Sequence, residues 1–328
     1  MKTSLKLCIL LFVLSCGKDD DNIVTPQSFS PTVKLNATYE VNITEDIVYA
    51  EGFSHDSWNG SNTTVVSLLM DSYVPDNNSQ NRPMLLLIHG GAFVGGSIQQ
   101  EALVDMTNYY ASRGFVVFSM DYRLRDDTGT IPQEWIDAAS SGAPANLNQI
   151  YAMYPAHRDA KAALRWIIAN AENYHINKEC ITVGGGSAGA VISIGLGATE
   201  PGDYKDEISL SEDNTLSTTN LSQTHEVQTI LDFWGSSASI EILELIYGYQ
   251  RFNSNNPALF IAHGTEDTTV PFTSAEDLKT IWETNEIDFV FYPIEGRGHG
   301  PWGATLYGKN LSELSFEFIA ENQNLNVE

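Results

Sequence analysis

The fold is decided by Ile181-Thr182-Val183-Gly184-Gly185-Gly186-Ser187-Ala188-Gly189-Ala190-Val191. A short apolar run, Ile181-Thr182-Val183, reads as a strand and leads into Gly185-Gly186-Ser187-Ala188-Gly189, which matches G-x-S-x-G. The small-residue stretch Ala188–Ala198 that follows reads as a helix. A strand, a sharp turn and a helix form the context that gives this motif its meaning. The turn must lift Ser187 above a sheet edge while the backbone passes close by, and small flanking residues permit that. The helix N-terminus then offers unpaired N–H groups and the positive end of its dipole to developing negative charge. A glycine-rich strand–helix turn also cradles phosphate. Here the Walker-A Lys is absent and Ser holds the turn, so Ser187 is the candidate nucleophile.

On either side, apolar runs alternate with helical patterns. Met84-Leu85-Leu86-Leu87-Ile88 and Phe115-Val116-Val117-Phe118-Ser119-Met120 read as strands buried on both faces. Further strands are expected near 229–233, 258–262 and 289–293, and helices near 103–111, 160–171, 274–284 and 306–322. Ala160, Ala163, Leu164, Ile167, Ile168 and Ala171 recur at helical spacing and make one apolar face. This rhythm predicts an α/β fold, a mostly parallel central sheet with helices on both faces. Two long segments interrupt it. Residues 126–154 carry Trp135, Ile136, Ile150, Tyr151, Met153 and Tyr154 and are expected to be ordered, on the substrate-facing rim at the C-terminal edge of the sheet. Residues 201–226 are rich in Ser, Thr and acid and read as a mobile surface loop.

A serine nucleophile needs a base and an orienting carboxylate. In the strand–turn–helix context both follow the nucleophile, acid first. His225 lies in the polar insertion, and His263 ends an apolar strand and reads as structural. His299 sits in Gly296-Arg297-Gly298-His299-Gly300, after the last expected strand, and is the candidate base. Asp267 and Glu266 both lie in the loop after the preceding strand. His89-Gly90-Gly91-Ala92-Phe93, after the strand ending at Ile88, is placed to aim backbone N–H groups at an oxyanion.

Taken together, these pieces resemble the α/β-hydrolases of the carboxylesterase and hormone-sensitive-lipase-like kind. The matching residues are His89 to Phe93, Asp121-Tyr122-Arg123-Leu124, the helix with Ala162-Ala163-Leu164-Arg165-Trp166, the turn at Ser187, the loop from His263 to Pro271, and His299. The resemblance implies a serine carboxylic-ester hydrolase with Ser187, His299 and Asp267 as its triad. Val270-Pro271 favours Asp267 over Glu266 as the acid. It implies an oxyanion hole from the N–H groups of Gly91, Ala92 and Ala188, and no metal or other cofactor. Ala92 stands where the family commonly has a third Gly, and the Ala-Pro-Glu that usually follows Asp121-Tyr122-Arg123-Leu124 is missing. Two alternatives are a serine peptidase of the same fold, which usually brings a large extra N-terminal domain, and a non-catalytic binding protein on a hydrolase scaffold. Phe93, Trp135, Tyr151, Tyr154 and Trp302 are the candidate pocket residues.

The start of the chain reads separately. Lys2 and Lys6 precede an apolar run from Leu7 to Leu14, too short to span a bilayer. Val13-Leu14-Ser15-Cys16 resembles a bacterial lipobox, and Gly17-Lys18-Asp19-Asp20-Asp21 resembles the export tag of surface lipoproteins in some Gram-negative bacteria. The expected division is a signal over residues 1–15, a tether over 16–35 and a catalytic domain over 36–328. Cys16 would carry lipid and anchor the protein to the outer membrane, and the tag-like run would take it to the cell surface. Of the three cysteines only Cys180 would then remain, which leaves no internal disulfide. With 17 Lys and Arg against 42 Asp and Glu, the formal charge is −25. Such a polyanion repels nucleic acid and anionic lipid headgroups, so membrane contact is expected only through the anchor. The expected partner is a small-molecule or polysaccharide-linked ester.

Overall fold

A computed structural model describes residues 30–142 and 146–328. The signal, Cys16 and most of the tether lie outside the described residues. The core is an eight-stranded sheet: β1 (Val41–His55), β2 (Thr63–Pro75), β3 (Arg82–Ile88), β4 (Val116–Met120), β5 (Ile176–Gly186), β6 (Thr229–Phe233), β7 (Ala258–Gly264) and β8 (Phe289–Ile294). Their spatial order is β1-β2-β4-β3-β5-β6-β7-β8. The pairs from β4 to β8 are parallel, while β1 on β2 and β2 on β4 are antiparallel. The sheet is thus the mostly parallel one of an α/β-hydrolase fold. Reading apolar runs missed β1 and β2. Most of β1 is exposed or half-exposed and its polar residues hide the strand pattern, whereas β3 is buried along its whole length.

Residues of β3 alternate between two cores. Met84, Leu86 and Ile88 join the core under α3 (Leu147–Ala169), α4 (Ala188–Ala198) and α6 (Thr273–Thr284). Leu85 and Leu87 face α1 (Glu101–Ala111) and α7 (Leu311–Asn322) on the other side. Helices α2 (Gln133–Gly142) and α5 (Ala238–Tyr247) lie beside a third, smaller cluster formed by Ile131, Trp135, Tyr154, Tyr204, Ile208, Leu216 and Leu243.

That third cluster corrects both insertion readings. Residues 201–226 are not a loose loop: Tyr204 is fully buried, and Asp203 makes a two-bond pair with Arg251 at 2.7 and 2.8 Å. A 3-10 turn at Asn214–Thr218 is capped by Asp213, whose side chain accepts from the Thr215 N–H. Residues 126–154 also pack inward. Trp135 and Tyr154 are fully buried, and the Trp135 indole donates to the Ile150 carbonyl at 3.0 Å. The helix expected from residue 160 begins at Leu147 and runs through Pro155. Proline inside a helix costs about 3 kcal/mol. Here it sits on a buried stretch with Ala152, Tyr154 and Ala156, where packing outweighs that cost.

One helix start also differs. The expected helix at 306–322 opens with a hairpin pairing Thr305–Leu306 to Lys309–Asn310, turned by Tyr307 and Gly308 at positive φ. Two successive positive-φ residues suit a tight hairpin turn. Asn310 then caps α7, accepting from the Glu313 N–H while the Glu313 carboxylate accepts from the Asn310 N–H.

Candidate active site

Ser187 stands between β5 and α4 with φ 56° and ψ −120°. This is a strained conformation for a residue with a Cβ, and it is held because the surroundings leave no alternative. Its N–H donates to the Phe233 carbonyl on β6. Glycine is required next to it. A Cβ on Gly185 or Gly189 would meet the Ile88 carbonyl oxygen at 2.3 or 2.0 Å. The G-x-S-x-G spacing therefore records how close β3 lies under the turn.

His299 arrives from the loop after β8 and Asp267 from the loop after β7, both at the C-terminal edge where Ser187 sits. The His299 Nε2 lies 3.0 Å from Ser187 Oγ, and Nδ1 lies 2.7 Å from Asp267 Oδ2. Asp267 is buried, and its Oδ1 accepts from the Thr269 and Val270 N–H groups at 2.8 and 3.0 Å. That pins the carboxylate and aims Oδ2 at the imidazole. Glu266 is exposed and its side chain makes no hydrogen bond or ion pair among the described residues. The arrangement can take a proton from Ser187 and hold the imidazole in one tautomer while it does so.

His263 was read as structural, but it also touches the acid. Its Nε2 donates to the Val270 carbonyl at 2.9 Å and lies 3.3 Å from Asp267 Oδ2. Burial pushes its pKa down, so it acts as a neutral buttress to the Asp267 loop. A His four residues before the acid was the available signal.

The loop after β3 supplies the donors opposite Ser187. Gly91, Ala92 and Phe93 all have positive φ, at 122°, 55° and 60°. The N–H groups of Gly91, Ala92 and Ala188 have no protein acceptor among the described residues. His89 is buried under this loop and stacked on Tyr122 with ring centroids 4.3 Å apart. The Tyr122 hydroxyl donates to the His89 carbonyl, and Asp121 Oδ1 accepts from the Ile98 N–H. Asp121-Tyr122 thus braces the loop from β4.

A cleft of about 480 Å³ opens over Ser187 and His299. Trp234, Trp302, Gln99, Gln100 and Thr269 line it with the Gly90–Ala92 backbone. Among the five candidate pocket residues only Trp302 faces this cleft. Phe93, Trp135 and Tyr154 are buried in the cores, and Tyr151 packs edge-on against Trp58. No described residue of 126–154 lines the cleft, so the described part of that segment does not form the rim expected there. Trp234 was missed, although it directly follows β6 at the edge that carries Ser187. It is edge-on to Trp302 with centroids 4.6 Å apart.

Residues 70–140 and 147–249, just over half of the chain, match the BD-FAE family. The chain belongs to the BD-FAE family, a group of α/β-hydrolase esterases. The match begins in β2 and ends after α5, so it includes the Gly91 loop and Ser187 but stops short of Asp267 and His299. This BD-FAE chain is also 25% identical to esterase LipC of Mycobacterium tuberculosis over 240 residues, 66% of the chain and 53% of LipC. It is 30% identical to para-nitrobenzyl esterase of Bacillus subtilis over 124 residues, 38% of the chain and 23% of that enzyme. The chain thus spans about half the length of LipC and less of the Bacillus protein. Among solved structures, Thermogutta terrifontis esterase 2 phosphorylated by paraoxon superposes with a TM-score of 0.57 at 22% identity, over 78% of this chain and 89% of that one. A truncated carbohydrate esterase from gut microbiota gives 0.57 at 20%, over 90% and 100%. At such identities the likeness is one of fold.

Proposed function

We propose that the protein is a serine carboxylic-ester hydrolase working through an acyl-enzyme. The observation that carries this reading is the chain of contacts from Ser187 Oγ to His299 Nε2 at 3.0 Å and from His299 Nδ1 to Asp267 Oδ2 at 2.7 Å. The Ser187 hydroxyl gives its proton to His299 as Oγ attacks the ester carbonyl carbon. The carbonyl oxygen, now an anion, accepts from the N–H groups of Gly91, Ala92 and Ala188. His299 then passes the proton to the departing alcohol oxygen, and the acyl group stays on Ser187. A water gives its proton to His299, attacks the acyl carbon, and releases the carboxylic acid as the proton returns to Ser187.

The substrate reading is an extracellular ester, either a small molecule or an acyl group on a polysaccharide. The cleft presents two indole rings and two Gln amides beside the nucleophile, surfaces that suit a polar, ring-containing alcohol or acyl group. The carbohydrate esterase among the structural neighbours is consistent with that class. Export through residues 1–15 and lipid attachment at Cys16 belong to the same proposal. Two acyl chains bury enough CH₂ groups, at about 0.8 kcal/mol each, for stable anchoring. A wild type that fractionates with membranes and a Cys16→Ala variant that does not would support the anchor, and a non-lipidated mature N-terminus would remove it.

The decisive test is Ser187→Ala with p-nitrophenyl esters of graded acyl length and with acetylated and feruloylated glycans. We expect a loss of about 10⁶-fold in kcat with an unchanged melting temperature. A fluorophosphonate should add one covalent label to the wild type and none to the variant. Near-normal turnover in Ser187→Ala would overturn the mechanism.

A further inference from the structure

A second cavity, of about 590 Å³, lies away from the cleft. Its walls come from α3, the C-terminal end of α4, and the segment leading into β6. The 11 residues of α4 separate it from Ser187, roughly 16 Å at 1.5 Å per residue. It is therefore not an extension of the cleft over Ser187.

Its charge is out of character for the chain. The protein carries only 17 Lys and Arg against 42 Asp and Glu. Even so Lys161, Arg165 and Lys205 all line this one cavity, with His225 beside them. The acid on the wall, Glu226, is exposed. Lys205 pairs with Asp206 at 3.3 Å and Lys161 donates to the Glu200 and Asp203 carbonyls.

The buried arginines are not treated alike: Arg82 is saturated by Asn77 and the Tyr174 carbonyl, Arg158 lies 3.6 Å from Asp213 without a hydrogen bond, and Arg165 is set apart by the cavity beside it. Arg123 and Arg251 are buried and each makes a multi-bond pair with a carboxylate, Asp159 or Asp203. Arg165 is just as buried, with 2% of its surface exposed. Its Nε donates to the Thr219 carbonyl at 2.8 Å, but no carboxylate of the described residues forms an ion pair with it. Its two terminal amino groups have no protein acceptor among those residues, and Arg165 borders open space. The His225 Nδ1 is also buried without a partner. The Arg165 terminal nitrogens therefore open on the cavity with no carboxylate to pair them, beside a buried His225 nitrogen without a partner, and an anion in the cavity would supply acceptors to both.

We propose that this cavity binds a small oxyanion, a group of the phosphate, sulfate or carboxylate class, gripped by the Arg165 fork with Lys161, Lys205 and His225 around it. The planar guanidinium presents two parallel donors that match two oxygens of such a group. Burial lowers the pKa of Arg165 to about 10 and of Lys161 to about 8, so Arg165 stays charged at neutral pH and Lys161 remains largely so. A bound anion would join α3 to the 201–228 segment and the end of α4, giving the site a stabilising or regulatory part rather than a catalytic one. The inference stands apart from the esterase mechanism and needs none of its residues.

Calorimetric titration of the full chain tests it, with sodium phosphate in one arm and sodium acetate in the other, each at fixed ionic strength balanced by chloride. We expect saturable one-to-one binding in at least one arm, with a matching rise in melting temperature, equally in wild type and Ser187→Ala. Phosphate binding assigns a tetrahedral oxyanion and acetate binding alone assigns a carboxylate. Arg165→Gln should weaken binding by about tenfold or more and Lys205→Ala by a few-fold, as expected for losing the fork and for losing one charge at the rim. If Arg165→Gln does not fold, Lys205→Ala decides. Saturation in neither arm, or affinities unchanged by the substitutions that fold, would overturn the proposal.

Discussion

The loops around Ser187 and the two insertions around Trp135 and Tyr204 are opposite solutions to building at the edge of one sheet. The cleft loops hold glycine, positive φ and exposed polar groups, and Ser187, Ala92 and Phe93 are all bent into the left-handed region. The insertions are polar in sequence but bury Trp135, Tyr154 and Tyr204 as a satellite core. Positive φ occurs in both, at Thr128, Tyr204 and Asn220 as well as at Ser187 and Ala92, so what separates them is that large side chains are packed where the sequence looks loose. The lesson is that a segment's average polarity does not report its burial. A few large side chains at the right turns are enough to anchor a long, mostly polar segment.

Substitutions on the two sides should separate function from stability. After Ser187→Ala, the largest effect is expected at Asp267→Asn, about 10⁴-fold in kcat with little change in melting temperature, because a wrong imidazole tautomer disables the base. Glu266→Gln should leave kcat within experimental scatter, and the reverse ranking would exchange their roles. On the insertion side, Trp135→Ala should cost about 3–5 kcal/mol of stability in urea unfolding. Turnover of a small activated ester should persist in that variant below its melting temperature. Loss of kcat without loss of stability would make the insertion part of the cleft after all.

The two regions should also answer pH with opposite signs. His157, stacked on Tyr204, is pushed down to about 4 by burial, helped by the nearby Lys161 charge. Its pKa lies below the unfolded value of about 6.5, so the unfolded chain binds more protons between them. The stability it contributes is complete above about pH 6.5 and falls by on the order of 3 kcal/mol as pH drops toward 4. Asp232, under the cleft on β6, is raised to about 7 by burial, offset in part by the Gly235 N–H that its Oδ1 accepts. Here the folded chain binds the extra proton, so stability is complete below about pH 4 and declines toward pH 7, by a similar order. Unfolding curves from pH 4 to 7.5 should lose the first slope in His157→Gln and the second in Asp232→Asn. Unchanged slopes would show that these groups titrate normally.

Apart from the Glu266→Gln control, the smallest effect is expected at Ala92. Its φ of 55° suits glycine, so Ala92→Gly should change stability by no more than about 1 kcal/mol, relief of strain opposing the entropy of the freer unfolded chain. It should shift acyl preference a few-fold at most, since the N–H proposed to face the oxyanion remains. A large loss of kcat would mean that the Ala92 methyl orders the loop.

Much of this was legible in the sequence where a local rule applies. The Gly185-Gly186-Ser187-Ala188-Gly189 turn could be read because close approach to Ile88 excludes any Cβ there, a constraint written in two glycines. The position of His299 could be read because strand order limits which loops reach the C-terminal edge. Trp234 was not legible. It follows an apolar strand like any core residue, and only the approach of Trp302 from a loop 68 residues later makes it a wall of the cleft. The role of His263 beside Asp267 was half legible, since their spacing was visible but the turn that joins them was not.

By itself, the sequence determined the strand–helix rhythm, the turn that carries Ser187, and the loops that bring Asp267 and His299 to it. Each of these depends on contacts within one element or on chain order. Only the tertiary structure decided that residues 126–154 and 201–226 pack on each other through Trp135, Tyr154 and Tyr204 rather than covering the cleft. It also decided that the buried Arg165 borders a cavity, with the Thr219 carbonyl and no carboxylate as its partner among the described residues. The physical reason is that burial and pairing depend on what approaches from elsewhere in the chain, and no residue's neighbours in sequence carry that information.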